Sequence, residues 1–264
     1  DDILTINRST FNSNSATDGG ALFVNTSTLK ITNSTMSDNY ASEYGGAVAL
    51  LAVASAKLNN VTLAINRADG SAPAGGGMVI DGATNVVLSN SILLNTRTAS
   101  FYDDLLCTGP ATFTSNGHNL IFAPGTCPVG GAMSNALPGL LTFGSNGGTM
   151  ATRAIESTGA AATTGPSVCE DPFGAPLTTD QRGVKRPIGG KCDLGAFEVE
   201  PVGDANGDGL VDVTDVFYLI NYLFAAGPVP KGRANVNGTG GIEVADVFYL
   251  INYLFSGGAA PVGG

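Results

Sequence analysis

Short runs of alternating polar and apolar residues recur along the first half of the chain, and no helical stripe accompanies them. Each unit is a strand-like segment that ends in asparagine, and a Gly-Gly turn follows before the next unit. The units lie 25 to 30 residues apart, a period typical of stacked-repeat proteins. The asparagines that close the units are Asn14, Asn39, Asn66 and Asn95.

A parallel β-helix is the architecture that this period predicts for residues 1–125. A coil of three short strands per turn fits the spacing, with each turn pairing to the next. Residues 29–32 and 85–88 alternate in polarity or are rich in β-branched side chains, which favours strands. Gly-Gly-Ala corners allow the backbone to bend tightly. We expect the recurrent asparagines to stack, with their amides bonding along the stack.

Residues 126–200 lose the period, and we interpret them as an irregular C-terminal cap. A β-helix needs a cap to cover the unpaired edge of its last turn. The segment carries a basic cluster at Arg182, Lys185 and Arg186. Structural ion pairs imitate binding sites. We therefore interpret the cluster as basic residues paired beside Asp180 and Asp193, with an anion site as the alternative.

Residues 201–264 form a tandem duplication that predicts a small all-α domain. The nine residues 216–224 recur without change at 247–255, an offset of 31. Plotted at about 100° per residue, the repeat forms a wide apolar stripe on each helix. We expect these stripes to bury each other; in the first helix they comprise Val213, Val216, Phe217, Leu219, Ile220, Leu223 and Phe224.

The face opposite each stripe is predicted to remain outside. A pair of symmetric tyrosine-rich faces favours a partner-binding surface, and ordinary amphipathic surface is the alternative. The residues of this predicted partner face are Thr214, Tyr218, Asn221 and Tyr222 in the first helix and Ala245, Tyr249, Asn252 and Tyr253 in the second.

A twelve-residue loop with the spacing of a calcium site precedes the first helix. Calcium binds about six to eight oxygen ligands, and the loop places oxygens at positions 1, 3, 5, 9 and 12 with Gly209 at the turn. Position 7 offers a backbone carbonyl. The predicted ligands are Asp204, Asn206, Asp208, Leu210, Asp212 and Asp215. An acidic linker without metal is the alternative.

The loop before the second helix repeats this spacing with fewer charges. Its candidate ligands are Asn235, Asn237, Thr239, Gly241, Glu243 and Asp246. Two carboxylates remain, and fewer charged ligands mean weaker calcium binding. A metal-free loop that is fixed by its own side-chain hydrogen bonds is the alternative.

Three stretches resemble known families. The Gly-Gly-Ala-apolar and Phe/Met/Leu-x-x-Asn units resemble those of right-handed parallel β-helix surface proteins, which include polymorphic outer-membrane proteins. Residues 179–187 and 192–198 resemble the choice-of-anchor Q domain, which closes bacterial β-helices. Residues 201–264 resemble a type I dockerin: two calcium-loop-plus-helix repeats, no entering helix, and a position after a linker.

The dockerin resemblance implies a calcium-folded module that binds cohesin. It implies the same two sets of ligands as the loop spacing. Its partner-contact positions, ten and eleven of each loop, are Val213-Thr214 and Val244-Ala245 here. Dockerins of cellulosomes often carry Ser or Thr at these positions, so this chain departs from that pattern.

Charge, hydropathy and cysteine content limit the partners and the cellular compartment that the sequence allows. The net charge of −10 argues against nucleic acid or anionic membrane as partners. No apolar run approaches the roughly 20 residues that span a bilayer. Four cysteines fall as two local pairs, Cys107 with Cys127 and Cys169 with Cys192. Two disulfides in an exported protein are the favoured interpretation, and buried thiols are the alternative.

Function is predicted to be structural. Candidate catalytic carboxylates are scattered through the first region, and no nucleophile–base set can be assembled around the single His118; the acidic residues considered are Asp38, Asp69, Asp81, Asp103 and Asp104, with Arg67 and Arg97. The sequence therefore predicts a secreted or cell-surface protein, leaning non-enzymatic.

The partner and the alternative role stay open at this point. The predicted partner is a cohesin-like module or neighbouring copies of the chain in an extracellular filament. A polysaccharide lyase or hydrolase, attached through its dockerin to a cohesin scaffold, is the alternative. The filament hypothesis rests on strand-like sequence near Asp1 without a capping helix before it. We expect the chain to be a processed or partial product.

Overall fold

The computed structural model describes residues 2–71, 74–83, 85–98, 101–128, 133–171 and 173–262. The strands are β1 (Ile3–Asn7), β2 (Thr10–Asn12), β3 (Ser15–Ala16), β4 (Leu22–Asn25), β5 (Thr28–Ser37), β6 (Tyr40–Ala41), β7 (Val48–Leu51), β8 (Ser55–Ala68), β9 (Met78–Asp81), β10 (Val86–Ser89), β11 (Ile92–Thr98), β12 (Phe101–Tyr102), β13 (Leu105–Thr108), β14 (Phe113–Ser115), β15 (Asn119–Ile121), β16 (Met133–Ser134), β17 (Leu140–Gly144) and β18 (Thr152–Ile155). The helices are α1 (Ala160–Thr163), α2 (Val213–Phe224) and α3 (Val244–Ser256).

The first region is a parallel β-solenoid of about four turns. One sheet runs in the order β1-β5-β8-β11-β15-β16, and a second runs β13-β9-β7-β4. Corresponding residues of successive turns pair in register, as Leu29 with Ala56 and Met36 with Leu63 show. The predicted β-helix is therefore confirmed, together with the helical C-terminal region.

Apolar side chains from each turn fill the interior of the coil. Fully buried members include Leu29 and Ile31 of β5, Leu58 and Leu63 of β8, and Ile80 of β9. Alternate strand residues point inward. The inward-pointing apolar residues of successive turns therefore form one core along the coil axis.

A row of asparagines bonds one turn to the next, as the repeat predicts. Asn14 Nδ2 donates to Asn39 Oδ1 at 2.9 Å, and Asn39 Nδ2 donates to Asn66 Oδ1 at 2.8 Å. Asn66 Nδ2 donates to Asn95 Oδ1 at 2.8 Å, and Asn95 Nδ2 donates to Asp104 Oδ1 at 3.0 Å. Each inner amide also bonds backbone groups, so the buried row leaves these polar atoms satisfied.

Each turn bends at a residue in the left-handed region. The residues at the first corner of successive turns share φ angles between +40° and +52°: Arg8, Asn33, Asn60, Asn90 and His118. Asparagine tolerates this conformation better than most residues, because its short polar side chain bonds locally. These first-corner residues form a ridge along the side of the coil.

The region that follows the periodic repeats both extends the stack and covers its side. Strand β16 extends the stack on β15, but residues 160–200, which we call the flank segment, run along the ridge. Every first-corner residue bonds this segment: Arg8 Nε to Gln181 O at 3.0 Å, Asn33 Nδ2 to Thr179 O at 2.7 Å, Asn60 Nδ2 to Asp193 O at 3.3 Å, Gly195 N to Asn90 O at 2.8 Å, and His118 Nδ1 to Thr164 O at 2.8 Å.

The assignment of residues 126–200 to a cap stays a prediction, and the flank segment, which is part of it, lies along the side of the coil. Sharp corners leave backbone and amide groups that strand pairing does not satisfy, and buried polar groups need partners. The non-periodic flank segment supplies those partners turn by turn.

The basic cluster of the flank segment is ion-paired. Arg182 Nη2 lies 2.8 Å from Asp180 Oδ2 and 2.7 Å from Glu200 Oε2, with all three side chains buried. Arg186 Nε lies 2.9 Å from Glu198 Oε2. Burial, with the charge of Glu198, raises the pKa of Asp193 to about 7. The two arginines thus hold the segment together, and Lys185 is exposed beside them.

Two disulfides join the predicted local pairs. Cys107 bonds Cys127 beside the last turns, and Cys169 bonds Cys192 within the flank segment. Each links chain segments about 20 residues apart.

Replacement of Asn66 by Ala should destabilise the coil by about 3 kcal/mol, because it removes the buried acceptor of the Asn39 backbone and side-chain N–H groups and the donor to Met36 O. Asn14→Ala is the matched control at the exposed start of the row, and we expect a loss below about 1 kcal/mol there. Urea unfolding followed by far-ultraviolet circular dichroism measures both. Equal losses would show that burial of the row does not matter.

Ile65→Asn should stabilise the coil by about 1 kcal/mol, because Ile65 is a β-branched residue at φ +60° whose side chain is 43% exposed. Ile3→Asn is the control, since Ile3 is exposed but lies in ordinary strand backbone. Thermal unfolding compares the two variants. A destabilised Ile65→Asn variant would mean that side-chain contacts outweigh the backbone strain.

Candidate calcium loops and docking surface

Each of the two C-terminal helices begins within the last three positions of one of the predicted calcium loops, at Val213 and at Val244. Helix α2 is capped by Asp212, whose Oδ1 accepts from Thr214 N at 2.7 Å. Asp215 Oδ2 accepts in return from Asp212 N at 2.9 Å, which completes a capping box. Helix α3 repeats the return bond between Glu243 N and Asp246 Oδ2 at 2.9 Å.

The last carboxylate of each loop also holds the start of that loop. Asp215 Oδ1 accepts from Ala205 N at 2.9 Å and Asn206 N at 3.1 Å. Asp246 Oδ1 accepts from Val236 N at 2.9 Å and Asn237 N at 3.2 Å. Both carboxylates are buried. The duplicated sequence therefore folds into two loops with the same backbone frame.

The first loop curls its other candidate ligands inward. Asp204 Oδ1 accepts from Gly207 N at 2.7 Å, and its Oδ2 accepts from Gly209 N at 2.8 Å. Asn206 Nδ2 donates to Asp208 Oδ2 at 3.0 Å. Gly207 and Gly209 have φ of +75° and +89°, conformations that suit glycine at a tight turn.

Negative charge accumulates in the first loop. Burial raises the pKa of Asp215 to about 6, and the nearby charge of Asp204 adds to the effect. Burial also raises the pKa of Asp204. Within the described residues, the ion pairs to Lys or Arg do not include the carboxylates of this loop. A cation would relieve this buried charge.

The donor set of the first loop fits calcium chemically. Four carboxylates, the amide oxygen of Asn206 and the carbonyl of Leu210 supply the hard oxygen ligands that calcium prefers. Elsewhere, among the described residues, the sulfurs of Cys169 and Cys192 and a carboxylate oxygen of Glu198 lie within 4.8 Å of one another. That cluster is not a metal site, because the two sulfurs form a disulfide.

The second loop has the same backbone frame as the first, and hydrogen bonds between its own residues cross it. Asn235 Oδ1 accepts from Gly238 N at 3.1 Å, and Asn235 Nδ2 donates to Gly240 O at 3.2 Å. Thr239 N donates to Asn237 Oδ1 at 2.8 Å. The side-chain amide of Asn235 can donate a hydrogen bond across the loop, which the carboxylate of Asp204 at the same position of the first loop cannot do. Calcium binding by this loop stays a prediction.

The wide apolar stripe of each helix is divided between an inner and an outer row. In α2, Val216 and Leu219 are buried, and they share a core with Val247 and Leu250 of α3 and with Val236. The neighbouring phenylalanines are instead solvent-exposed: Phe217 by 64%, Phe224 by 66%, Phe248 by 66% and Phe255 by 65%. The expectation that the whole stripe is buried was therefore wrong for the outer row.

The reason is the size of the module. Two helices and two short loops supply enough contacts to cover one row of each helix, and the phenylalanines of the adjacent row, about 100° further round, stay mostly exposed.

The predicted partner face is divided in a similar way. Tyr218 Oη donates to Val229 O at 3.3 Å, and Tyr249 Oη donates to Ala260 O at 3.1 Å, so these half-buried tyrosines fasten the segments that follow each helix. Tyr222 is also half-buried. The remaining members are exposed: Thr214, Asn221, Ala245, Asn252 and Tyr253.

The carboxylates of the coil that were weighed as catalytic groups have structural partners. Asp38 Oδ2 lies 3.0 Å from Arg153 Nη2, and Asp69 pairs with Arg67. Asp81 Oδ1 accepts from Thr108 Oγ1 at 2.8 Å.

Asp103 and Asp104 are both buried and accept backbone N–H groups. Asp103 Oδ2 accepts from Ala74 N, and Asp104 Oδ2 accepts from Ala123 N. The side chain of Arg97 lies outside the described part of the structure.

Residues 202–255 match the family model described as Dockerin type I domain. Dockerin domains bind cohesin modules, are generally calcium-binding, and are typically found in extracellular or cell-surface proteins. No curated protein and no solved structure matches the chain. Among the described helices, none is long and apolar enough to cross a membrane. The resemblances to choice-of-anchor Q and polymorphic outer-membrane proteins stay predictions.

Addition of a calcium chelator should remove the helical circular dichroism of residues 201–264, while the solenoid stays folded. The reason is that the buried carboxylates of Asp204 and Asp215 repel each other without a cation, whereas the coil has its own core. Hydrogen exchange of the full chain separates the two regions. Unchanged protection of α2 in excess chelator would contradict the prediction.

The two loops can be compared at their fifth position. Asp208→Ala should lower calcium affinity by at least about tenfold, because it removes a charged ligand. Thr239→Ala is the matched control in the second loop and should change the measured affinity little. Isothermal titration calorimetry on the full chain measures both.

Proposed function

We propose that this chain is a secreted or cell-surface structural protein whose β-helix body is attached to a cohesin-like module through its calcium-stabilised C-terminal module. The observation that carries the proposal is the outer row of exposed phenylalanines on both helices. It lies within the stretch that matches a domain family whose members bind cohesin.

The outer row has the geometry of a docking face. In α2 it comprises Val213, Phe217, Ile220 and Phe224, spaced so that all four lie on one side of the helix. The row recurs 31 residues later in α3, where Val244, Phe248 and Phe255 are exposed. Because each row begins within the last positions of a calcium loop, loading of the loops would fix the direction in which each row points.

The free energy of burial favours a partner. Covering a phenylalanine side chain is worth about 2 kcal/mol, and soluble monomers rarely expose large contiguous apolar patches. Aromatic anchors are enriched among the residues that dominate binding energy. Four exposed phenylalanines on a small module would therefore supply the core of an interface, with Thr214 and Asn221 at its polar rim.

The body suits a structural role. The carboxylates that a polysaccharide lyase or hydrolase would need are bonded to arginines, hydroxyls or backbone amides, as Asp38 and Asp104 illustrate. A glycoside hydrolase needs two carboxyl groups that flank one scissile bond in a shared cleft. These contacts favour a non-enzymatic body over a polysaccharide-degrading enzyme attached through the same module.

An extracellular location fits the covalent and metal chemistry. The two disulfides need an oxidising environment. A low-charge second loop would bind calcium weakly, and extracellular calcium modules work with weak sites.

Replacement of Phe217 and Phe248 together by Ser should lower the affinity for a cohesin module by at least about tenfold, because it removes one anchor from each helix. A set of immobilised type I cohesin modules, with calcium present, measures binding of the full chain. Phe173→Ser is the matched control, since Phe173 is 64% exposed but belongs to the body.

Two outcomes would contradict the proposal. Binding that survives both serine substitutions would place the interface elsewhere. Concentration-dependent self-association in sedimentation, lost in the double variant and accompanied by no cohesin binding, would make neighbouring copies the partner.

A further inference from the structure

The first calcium loop does not hang from a linker but rests on the flank segment. Lys185 N donates to Gly207 O at 2.7 Å. A β-carbon built on Gly207 would lie 3.2 Å from Val184 Cα, and one built on Gly209 would lie 3.3 Å from Ile188 Cγ1. The turn of the loop is thus in direct contact with residues 184–188.

The opposite side of the same loop is also held. Lys231 N donates to Ala205 O at 3.1 Å, and Gly203 N donates to Arg233 O at 2.8 Å. The segment that makes these bonds is itself fixed to the body, because Gly148 N donates to Pro230 O at 2.7 Å. The loop therefore lies between the flank segment and residues 230–233.

The second loop is held less tightly. Its Thr239, Gly240 and Gly241 are exposed. Asn235 and Gly240 line a cavity of about 770 Å³ that separates this loop from residues such as Leu141 and Glu156. Two loops with the same internal frame thus meet different surroundings.

We propose that residues 184–188 of the flank segment are positioning residues for the first calcium loop, and that occupation of this loop in turn locks the module onto the body. The inference rests on the proposed calcium binding. A metal site is tighter when its ligands are held in place by supporting contacts. Coupling between two sites is reciprocal, so a contact that favours calcium must itself be strengthened by calcium.

Truncation of the supporting contact provides the first test. Ile188→Ala in the full chain should weaken calcium binding at the tighter site by about tenfold, the lower end of the range for supporting residues. Ile188→Val should restore affinity to within about threefold, because it keeps the branched contact with Gly209. Leu141→Ala is the matched control beside the second loop and should leave the tighter site unchanged.

Residue-level hydrogen exchange of the unmodified chain provides the second test, which does not depend on any variant folding. The amide of Lys185 should exchange at least about tenfold faster in chelator than in calcium, while the amides of Asn39 and Asn66 in the coil stay protected. Faster exchange at Lys185 together with the affinity loss of Ile188→Ala supports the proposal.

Three results would overturn the proposal. Calcium binding with an unchanged Lys185 amide would show that the loop and the flank segment are independent, and the proposed calcium role would survive. Equal calcium affinity in Ile188→Ala and Leu141→Ala would remove the positioning role. Absence of calcium binding by calorimetry would overturn this inference and the proposed calcium role together.

Discussion

Every amide buried between the turns of the solenoid must both donate and accept, and this requirement governs the body of the protein. A row of asparagines satisfies this requirement only while another turn follows, because each side-chain Nδ2 donates to the Oδ1 of the asparagine on the following turn. The row from Asn14 to Asn95 ends on a carboxylate, Asp104, which accepts without needing to donate onward. Burial raises the pKa of Asp104 to about 6. The coil therefore tolerates a buried acid as the terminal acceptor of its hydrogen-bond row.

In-register stacking has further consequences at the corners. Because successive turns repeat the same bend, Asn33, Asn60 and Asn90 form a ridge of side chains and peptide groups outside the ladder. The flank segment bonds this ridge and is itself held by buried pairs of Arg182 and Arg186. The C-terminal module then rests on that segment. The ridge thus positions the flank segment, and the flank segment positions the module. In both cases the bonds involve polar groups that strand pairing leaves without partners.

Local pattern was enough to predict the elements whose contacts are close in sequence or strictly periodic. The asparagine row falls in this class, and so does the shared backbone frame of the two loops, because their partners lie one repeat away or within twelve residues; calcium binding by the loops stays a prediction. The lateral course of the flank segment was not predictable, since Asn33 meets Thr179 across 146 residues without any periodic signal. The exposed phenylalanines were missed for another reason. Val216 and Phe217 are neighbours on one continuous apolar stripe, and only the assembled module shows which row is covered.

The buried pair between Arg182 and Glu200 lies at the junction of body and module, and this position has a mechanical meaning. Glu200 directly precedes the module and is fixed within the flank segment at 2.7 Å from Arg182. A pulling force applied to the helices by a tethered partner would reach the coil through this pair and the bond between Lys185 and Gly207. Such a junction would transmit torque as well as tension. The body would therefore keep a fixed orientation relative to its anchor, which a flexible linker would not maintain.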